Sequence, residues 1–384
     1  MERLILVLNA GSSSIKYSFF KMPLGKCLLN GILERIGEKI SLIKQRAEGG
    51  EYLERSLRIA HHRAGIQAIF SLLLERGRLK NIKEITAVGH RVVHGGEVFQ
   101  QPCIIDRKKL LKIKEYSILA PLHNPPQVSV IEACLDYLKG IPQIAVFDTA
   151  FHTTMPRKAF LYGLPYQLYT RFKIRKYGFH GISHQYVAEE TGKILARPLR
   201  DLKIITCHLG NGCSITAIKG GRSIDTSMGF TPLEGVMMGT RPGDFDPAII
   251  LFLLDKGYSR ESIDYLLNKK SGLLGLSGIS NDMRDIMKGI KKNHLRAKIA
   301  RDVFIYRIQK YISGYVGILG GLDALVFTGG IGENQPDIRR RICRGLNFLL
   351  KTTGAQVLVI PTDEEALIAR QAYLLLKKDE DKSK

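Results

Sequence analysis

Residues 203–230 read KIITCHLGNGCSITAIKGGRSIDTSMGF, and the rest of the chain is organised around this stretch. An apolar run is interrupted by a turn at 208–212, resumes over 213–218 and ends in a Gly-Gly turn. This alternation predicts a β-hairpin. Glycines at the first turn let backbone N–H groups approach an anion without obstruction by Cβ atoms. The turn is therefore either a phosphate site or the plain closure of a hairpin.

The N-terminus repeats this arrangement. An apolar run over 4–8 leads into Asn-Ala-Gly-Ser-Ser-Ser at 9–14 and a second run over 15–20. Two strand-turn-strand units in one chain predict a duplicated domain, with nucleotide phosphates between the halves. The sequence contains no Walker P-loop, so we expect phosphate to be held by hairpins and not by a loop before a helix.

Length and composition fit a two-domain globular protein. The chain has 384 residues, 45% of them hydrophobic and 24% charged, which suits two domains of ordinary size. Its formal net charge is +22, which is compatible with a polyanionic partner. The basic residues are scattered and lack an aromatic RNA-binding pattern, so a solvated surface is the favoured interpretation.

The cysteines and the apolar runs indicate the compartment. Six cysteines show no CxxC pattern, which is typical of a reducing environment. The apolar run over 4–8 is too short for a signal peptide. No apolar stretch approaches the roughly 18 residues of a membrane span. The sequence therefore predicts a cytosolic protein.

Polar residues next to predicted strands are candidate site residues. Arg91 lies in GHRVVHGGE between glycines, where it could clamp a carboxylate or phosphate or make a surface ion pair. Asp148 follows a predicted buried strand over 143–147. Ligands gather at the carboxyl ends of strands in open α/β sheets, although an aspartate there could also cap a helix.

Two further segments combine histidine or arginine with glycine. His180 and His184 have the spacing of a zinc-binding helix, but neighbouring glycines and the missing HExxH glutamate argue against zinc. Ser183 is the predicted cap of a helix that begins at His184. Arg241 lies at the centre of a loop rich in glycine and proline, which is suited to hold a guanidinium group in a cleft.

Ten motifs taken together resemble the ordered motif set of the acetate kinase family, from residue 5 to about residue 370. They are NAGSSSIKY, GHRVVHGGE, APLHNP, FDTAFH, YGFHGISH, HLGNGCS, FTPLEGVMMGTRPGD, SGLLGLSGISNDMR, TGGIGEN and IPTDEEALIA. Each motif alone is moderately specific, and ten in order are very specific.

The resemblance implies a fold, a reaction and partners. The fold is α/β, a duplicated two-domain actin-like (ribonuclease H-like) kinase fold with a nucleotide cleft between the domains. The N-terminal domain is expected at 1–148 plus about 367–384, and the nucleotide-binding domain at 149–366. The implied reaction is the reversible transfer of a phosphoryl group from ATP to acetate. Mg²⁺, with Mn²⁺ as a substitute, ATP/ADP and a cytoplasmic homodimer are also implied, with no nucleic acid and no membrane.

The resemblance also assigns roles to single residues. Asp148 is the catalytic carboxylate and His180 the transition-state stabiliser, Arg91 and Arg241 flank the substrate and the transferred phosphoryl group, and His123 is a further active-site histidine. The substrate-binding set is Arg91, Val93, Leu122, Phe179 and Pro232, and the last four of these match the small apolar pocket for the substrate methyl group. Metal binding falls to Asn9 and Glu364. The nucleotide-binding set is Lys16, His208, Leu209, Gly210, Asn211, Gly212, Asp282, Met283, Arg284, Gly330, Ile331, Gly332, Glu333 and Asn334.

The chemistry of the implied reaction explains this choice of residues. A carboxylate nucleophile is already ionised and needs no general base, so positive charge and alignment carry most of the catalysis. We therefore expect Asp148 to orient other groups and not to abstract a proton. The resemblance to the family, in contrast, often assigns it the role of general acid or base. Pro242 after Arg241 and the basic net charge depart from the family pattern.

Other functions remain open at this point. Propionate kinase shares nearly all of these motifs, and one methylene is worth only about 1–3 kcal/mol in such a pocket. A sugar kinase or polyphosphatase would need a base and polar sugar-binding groups. A non-catalytic nucleotide switch would not need Arg91, His180 and Arg241 in its cleft.

Overall fold

The structure, a computed structural model, describes residues 2–76, 79–121 and 123–383. The chain divides into two compact units, Met1–Ala150 together with Asp363–Lys384, and Phe151–Thr362. The predicted boundaries follow residues 148 and 366. We refer to the two as unit 1 and unit 2.

Within the described residues, unit 1 contains an eight-stranded sheet. Its strands are Arg3–Ala10 (β1), Ser14–Met22 (β2), Lys26–Glu34 (β3), Ser41–Ala47 (β4), Tyr52–Leu57 (β5), Ile85–Val92 (β6), Cys103–Ile104 (β7) and Gln143–Phe147 (β8). The strand order is β5-β4-β3-β2-β1-β6-β8-β7, with β1, β6 and β8 parallel to one another. The carboxyl ends of these three strands therefore meet at one edge.

The part of unit 2 that the structure describes contains a five-stranded sheet. Its strands are Lys203–Leu209 (β9), Cys213–Lys219 (β10), Arg222–Thr226 (β11), Ala324–Thr328 (β12) and Gln356–Val359 (β13). The order is β11-β10-β9-β12-β13, with β9, β12 and β13 parallel. An antiparallel meander followed by two parallel strands thus occurs in both sheets, as β3-β2-β1-β6-β8 and as β11-β10-β9-β12-β13. The predicted duplicated α/β fold is confirmed, and so are both predicted hairpins.

Each unit also contains α-helices. Those of unit 1 are His62–Glu75, Arg107–Glu115, Asn124–Tyr137 and Glu364–Ser383. Those of unit 2 are Arg157–Phe160, Tyr166–Phe172, Gly181–Ile194, Ala248–Asp255, Arg260–Tyr265, Gly272–Ser277, Met283–Lys291, Leu295–Leu319, Gly329–Asn334, Pro336–Gly345 and Asn347–Thr353. Among the described residues, none of these helices has the length and apolar character needed to cross a membrane.

The last helix explains how a residue near the C-terminus reaches the edge of the sheet in unit 1. Its apolar face, which includes Ile368 and Ala372, is fully buried against β1 and β6. A Cβ atom on Gly89 in β6 would lie 2.7 Å from Cγ2 of Ile368, so the strand needs glycine for this approach. This packing fixes the first residue of the helix, Glu364, beside the strand ends.

Two predicted segments differ in structure. The helix predicted from His184 with Ser183 as its cap begins at Gly181, and His180 occupies the N-cap position with a left-handed φ of 55°. The sequence around TGGIGEN predicts a buried strand over 323–327 that runs into a glycine turn. The strand is observed as β12, but the residues after it form the helix Gly329–Asn334 and not a turn. Gly329 reverses the chain at φ +76°, and the Glu333 side chain accepts its N–H at 2.8 Å, which closes the first turn.

The longest helix, Leu295–Leu319, buries only part of its predicted apolar face. The sequence predicts this face to contain Ile299, Val303, Tyr306, Ile312, Tyr315 and Val316. Ile312, Tyr315 and Val316 are buried as predicted, whereas Ile299 and Tyr306 are 45% and 65% exposed. The buried face also contains Ala300, Phe304 and Ile308, which are fully buried. Apolar residues occur on more than one side of this helix, so periodicity alone does not select the side that packs.

Candidate active site

In unit 1, Arg91 is the centre of a cluster of polar side chains at the strand ends. It lies in β6, opposite Val146 of β8. Its Nη2 atom donates to Oδ2 of Asp148 at 2.9 Å, and Asp148, which directly follows β8, is 1% exposed. Its Nη1 atom donates to Oδ1 of Asn9 in β1 at 3.4 Å. The three parallel strands therefore bring three predicted site residues together.

Glu364 joins this cluster from the last helix, with Oε2 3.4 Å from Nε of Arg91. Burial, together with the negative charge of Asp148, raises the pKa of Glu364 to about 7 against the opposing effect of Arg91. Burial alone would lower the pKa of Arg91, but Asp148 and Glu364 raise it above its ordinary value. Arg91 is therefore a permanent cation already shared between two carboxyl groups.

Two buried amides hold the strand ends, and the sequence analysis missed both. Gln127 accepts from the N–H of Val93 at 2.9 Å and donates to the carbonyl of Ala10 at 3.3 Å, so it ties the end of β6 to the end of β1. Asn124 accepts from and donates to the backbone of His94, at 3.1 Å in both cases. Both amides lie in the helix Asn124–Tyr137. The feature of the sequence that could have indicated them is Asn124-Pro125-Pro126-Gln127, in which two amide side chains flank two prolines in an otherwise apolar segment.

The other predicted site residues of unit 1 lie at the following positions. Lys16 is exposed on β2, opposite Asn9 in the register of the sheet. His123 directly precedes the helix Asn124–Tyr137. Val93 is 3% exposed. Leu122 lies outside the described residues.

In unit 2, histidines from two elements meet at the end of β9. The ring of His180 stacks on the ring of His208 with centroids 4.3 Å apart. Nδ1 of His180 is 2.9 Å from Oγ of Ser214, and Nδ1 of His208 is 2.8 Å from Oγ of Ser183. Ser183 thus contacts a neighbouring histidine in place of its predicted capping role.

The side chains of His180 and Arg241 both lie close to Gly212. A Cβ atom added at this glycine would lie 3.5 Å from Nε2 of His180 and 3.8 Å from Nη1 of Arg241. The two side chains therefore face the same small space above the hairpin turn. Both can carry positive charge, so this space suits an anion.

Arg241 has no acidic partner within the described part of the chain. Its Nη1 atom donates to the carbonyl of Pro232 at 3.2 Å, and burial lowers the pKa of its guanidinium group. A largely buried cation without a carboxylate is costly unless a ligand supplies the negative charge. Arg91 has its negative partners within the fold, whereas Arg241 is prepared for an external anion.

A cavity of about 410 Å³ lies next to this pair in unit 2, and its lining includes most of the predicted nucleotide residues. Its size is within the range of small-molecule sites. Asn281 and Gln335 also line it and were not predicted. The Asn281 amide donates to Oδ1 of Asn211 at 2.9 Å. The lining consists of Gly210, Asn211, Asn281, Asp282, Met283, Arg284, Gly330, Ile331, Asn334 and Gln335.

Several predicted nucleotide residues, and Phe179 of the predicted substrate pocket, are not in the lining of this cavity. Leu209 is fully buried in β9, and Gly332 is buried inside its short helix. The Glu333 carboxylate is turned toward the backbone N–H of Gly329. Phe179 is 2% exposed, and its carbonyl is 2.9 Å from Nε2 of His152. These residues shape the site through backbone position and packing.

The cluster in unit 1 can hold a magnesium ion. Asn9, Asp148 and Glu364 offer hard oxygen donors, and Mg²⁺ is usually held by one or two carboxylates together with phosphate oxygens. The repulsion between Asp148 and Glu364 that helps to raise the pKa of Glu364 is what a cation would relieve. No group of three or more His, Cys, Asp or Glu residues in the described ranges forms a metal site, so water molecules or phosphate oxygens would complete the coordination.

The chain is similar to known proteins over nearly its whole length. The acetate kinase of Heliobacterium modesticaldum is 47% identical over 395 residues, covering 97% of this chain and 100% of that protein. The acetate kinase structure of Porphyromonas gingivalis matches with a TM-score of 0.92 at 42% identity, over 97% and 100% of the two chains. A propionate kinase structure from Francisella tularensis matches with a TM-score of 0.89 at 41% identity, over 96% and 98%. Because residues 4–354 also match the sequence profile of the acetokinase family, this chain belongs to that family.

Proposed function

We propose that the protein is an acetate kinase, which reversibly transfers the γ-phosphoryl group of ATP to the carboxylate of acetate. One structural observation supports this proposal in addition to family membership. The cavity of unit 2 reaches Asn211, and at the next residue, Gly212, His180 and Arg241 face a common space. A nucleotide in the cavity would thus end its phosphate chain beside the guanidinium group of Arg241, which has no acidic partner among the residues that the structure describes.

The reaction needs charge neutralisation more than proton transfer. Carboxyl groups have pKa values near 4, so acetate is ionised at neutral pH. One of its oxygens attacks the γ-phosphorus atom while the bond to the bridging oxygen breaks and ADP departs. The main difficulty is the approach of one anion to another, which positive groups and alignment overcome.

Each charged side chain has a role in this scheme. Arg241 and His180 stabilise the negative charge of the phosphoryl group in transit, and Arg91 binds the acetate carboxylate. Asp148, buried and paired with Arg91 at 2.9 Å, orients that guanidinium group and does not abstract a proton. Mg²⁺, when bound by Asn9, Asp148 and Glu364, supplies positive charge that offsets the charge of the phosphates.

A hydroxamate assay with acetate, propionate and butyrate, each with ATP and Mg²⁺, tests the proposal. We expect the highest kcat/KM with acetate, and a drop for propionate of the size that one methylene allows, about 10- to 200-fold. A preference for propionate would favour the propionate kinase alternative, which the Francisella tularensis structure motivates. Turnover of sugars without turnover of any acid would contradict both.

Because the pKa of Glu364 is raised, we expect the Mg²⁺ concentration that the enzyme requires to depend on pH. Since burial raises this pKa to about 7, the carboxyl group is mostly protonated at pH 6 and mostly ionised at pH 8. Protons and metal compete for it, so we expect the KM for Mg²⁺ to fall about tenfold from pH 6 to pH 8. Steady-state kinetics at saturating ATP measures this change.

Glu364→Gln is the control for this pH experiment. The amide cannot ionise, so the variant should need more Mg²⁺ at every pH, and only the dependence caused by the nucleotide itself should remain. If wild type and Glu364→Gln show the same pH dependence, Glu364 does not bind the metal.

Gly212→Ala tests the shared space directly. The added methyl group would lie 3.4 Å from Cε1 of His180 and 3.8 Å from Nη1 of Arg241, which are ordinary contact distances. We therefore expect an unchanged melting temperature but a kcat at least about tenfold lower, because the methyl group displaces the anion from the preorganised charges.

Gly330→Ala is the matched control, because Gly330 lines the nucleotide cavity and a Cβ atom there meets nothing within 4 Å. It should change the KM for ATP more than kcat. Normal kcat in Gly212→Ala would show that the space above Gly212 is not where phosphoryl transfer occurs.

A further inference from the structure

A fully buried histidine lies behind the proposed active site, and phosphoryl transfer as described does not use it. His184 is in the helix Gly181–Ile194 and is 0% exposed. Its Nδ1 atom is 2.7 Å from Oγ1 of Thr206 in β9, and its Nε2 atom is 2.7 Å from Oγ of Ser214 in β10. Both ring nitrogens are therefore engaged by hydroxyl groups of the sheet.

Ser214 connects this buried ring to the active-site ring. Its hydroxyl group is also 2.9 Å from Nδ1 of His180. A continuous chain of hydrogen bonds thus runs from Thr206 through His184 and Ser214 to His180. The opposite edge of the His180 ring, Cε1 and Nε2, faces the space above Gly212.

The shared hydroxyl group couples the protonation of the two rings. A serine hydroxyl group has one hydrogen, so it cannot donate to both imidazole nitrogens. At least one of the two, Nδ1 of His180 or Nε2 of His184, must therefore carry a hydrogen and donate to Ser214. Burial lowers the pKa of His184 well below its ordinary value, which keeps that ring neutral.

The backbone conformation at His180 explains why other side chains are needed to hold its ring in place. With φ at 55°, His180 lies in the left-handed region and precedes the first turn of its helix. Its backbone therefore lies outside the regular part of the helix. The stack on His208 and the bond to Ser214 define its ring plane.

We propose that Ser214 and His184 are positioning residues. They hold the ring of His180 so that Nε2 faces the transferring phosphoryl group, and they set which of its ring nitrogens carries hydrogen. The part concerning phosphoryl transfer rests on the proposed acetate kinase activity. The arrangement of the rings does not. The titratable and charged groups near His180 in this unit include His184, His208 and Arg241.

Ser214→Ala is the principal test, with Thr216→Val as its matched control. Thr216 is two residues along the same strand, is fully buried, and binds the hydroxyl group of Thr226 at 2.8 Å outside this chain of hydrogen bonds. Both variants lose one buried hydroxyl group. We expect kcat to fall about tenfold or more in Ser214→Ala, as for other residues that orient a reactive group, with KM values for acetate and ATP little changed. Thr216→Val should keep its kcat, and Ser214→Thr should restore much of the activity.

Histidine tautomers provide a readout that does not depend on turnover. In protein labelled with ¹⁵N-histidine, ring nitrogen shifts separate protonated from unprotonated sites, and His180→Asn and His184→Asn identify the signals. We expect wild-type His180 and His184 each to show a single tautomer, with hydrogen on at least one nitrogen that faces Ser214. Ser214→Ala should convert the His180 signal to a mixture.

The outcomes are distinguishable. Unchanged His180 tautomers and kcat in Ser214→Ala overturn the proposal, as does an equal loss of kcat in Thr216→Val, which would indicate a general effect on the fold. If wild type fails to phosphorylate acetate but the tautomers respond as expected, the proposed function fails and the positioning of His180 stands.

Discussion

Replacing Arg241 by alanine is expected to lower kcat for acetate phosphorylation about 10²- to 10³-fold, the usual loss for one preorganised stabilising group. The fold should keep its stability. Arg241 is largely buried without a carboxylate partner in the described residues, and its Nη1 atom donates to the Pro232 carbonyl at 3.2 Å. Removing it also removes a desolvated charge, so unfolding in urea should show no loss of stability.

Arg241→Lys separates charge from geometry. Lysine keeps a positive charge but lacks the planar fork that can bind two oxygens, so we expect partial activity between wild type and Arg241→Ala. Near-normal turnover of Arg241→Ala would contradict the assigned role. A large loss of stability would show that the residue is structural.

Arg91→Ala should lower kcat by a similar factor, about 10²- to 10³-fold, but should also destabilise the fold. Asp148 is 1% exposed, and its carboxylate would lose the guanidinium partner at 2.9 Å. Breaking one side of a buried ion pair typically costs about 3–5 kcal/mol. Urea unfolding combined with kinetics at saturating substrates measures both effects.

The double variant Arg91→Ala/Asp148→Asn is the control for this destabilisation. The neutral amide removes the stranded charge, so part of the lost stability should return while activity stays low. If Arg91→Ala is as stable as wild type, the ion pair does not hold the strand ends. If the double variant recovers activity, Arg91 does not act on the substrate.

The sequence predicted the elements whose pattern is local. The strand predicted over 143–147 is observed as Gln143–Phe147, and both hairpins formed where glycine and small polar residues interrupt apolar runs. Local signals sufficed because turn chemistry and strand alternation are set by neighbouring residues. The placement of Asp148 at a strand end followed from a general rule for α/β sheets.

Features that depend on distant partners could not be predicted. The burial of His184 against Thr206 and Ser214 is set by sheet packing and leaves no mark in the local pattern. The link that Gln127 makes between the ends of β1 and β6 joins residues 117 positions apart. The helix at Gly329 formed against glycine's low helix propensity, because the Glu333 side chain satisfies its first N–H group.

The central claim is that the cations of both units, Arg91 and Arg241, act on one reaction step. A double-mutant cycle on kcat with Arg91→Ala, Arg241→Ala and the combined variant tests it most directly. Residues that stabilise the same transition state are not additive, so the double variant should lose much less activity than the product of the two single losses. A loss equal to that product within about twofold, as found for independent sites, would contradict the account.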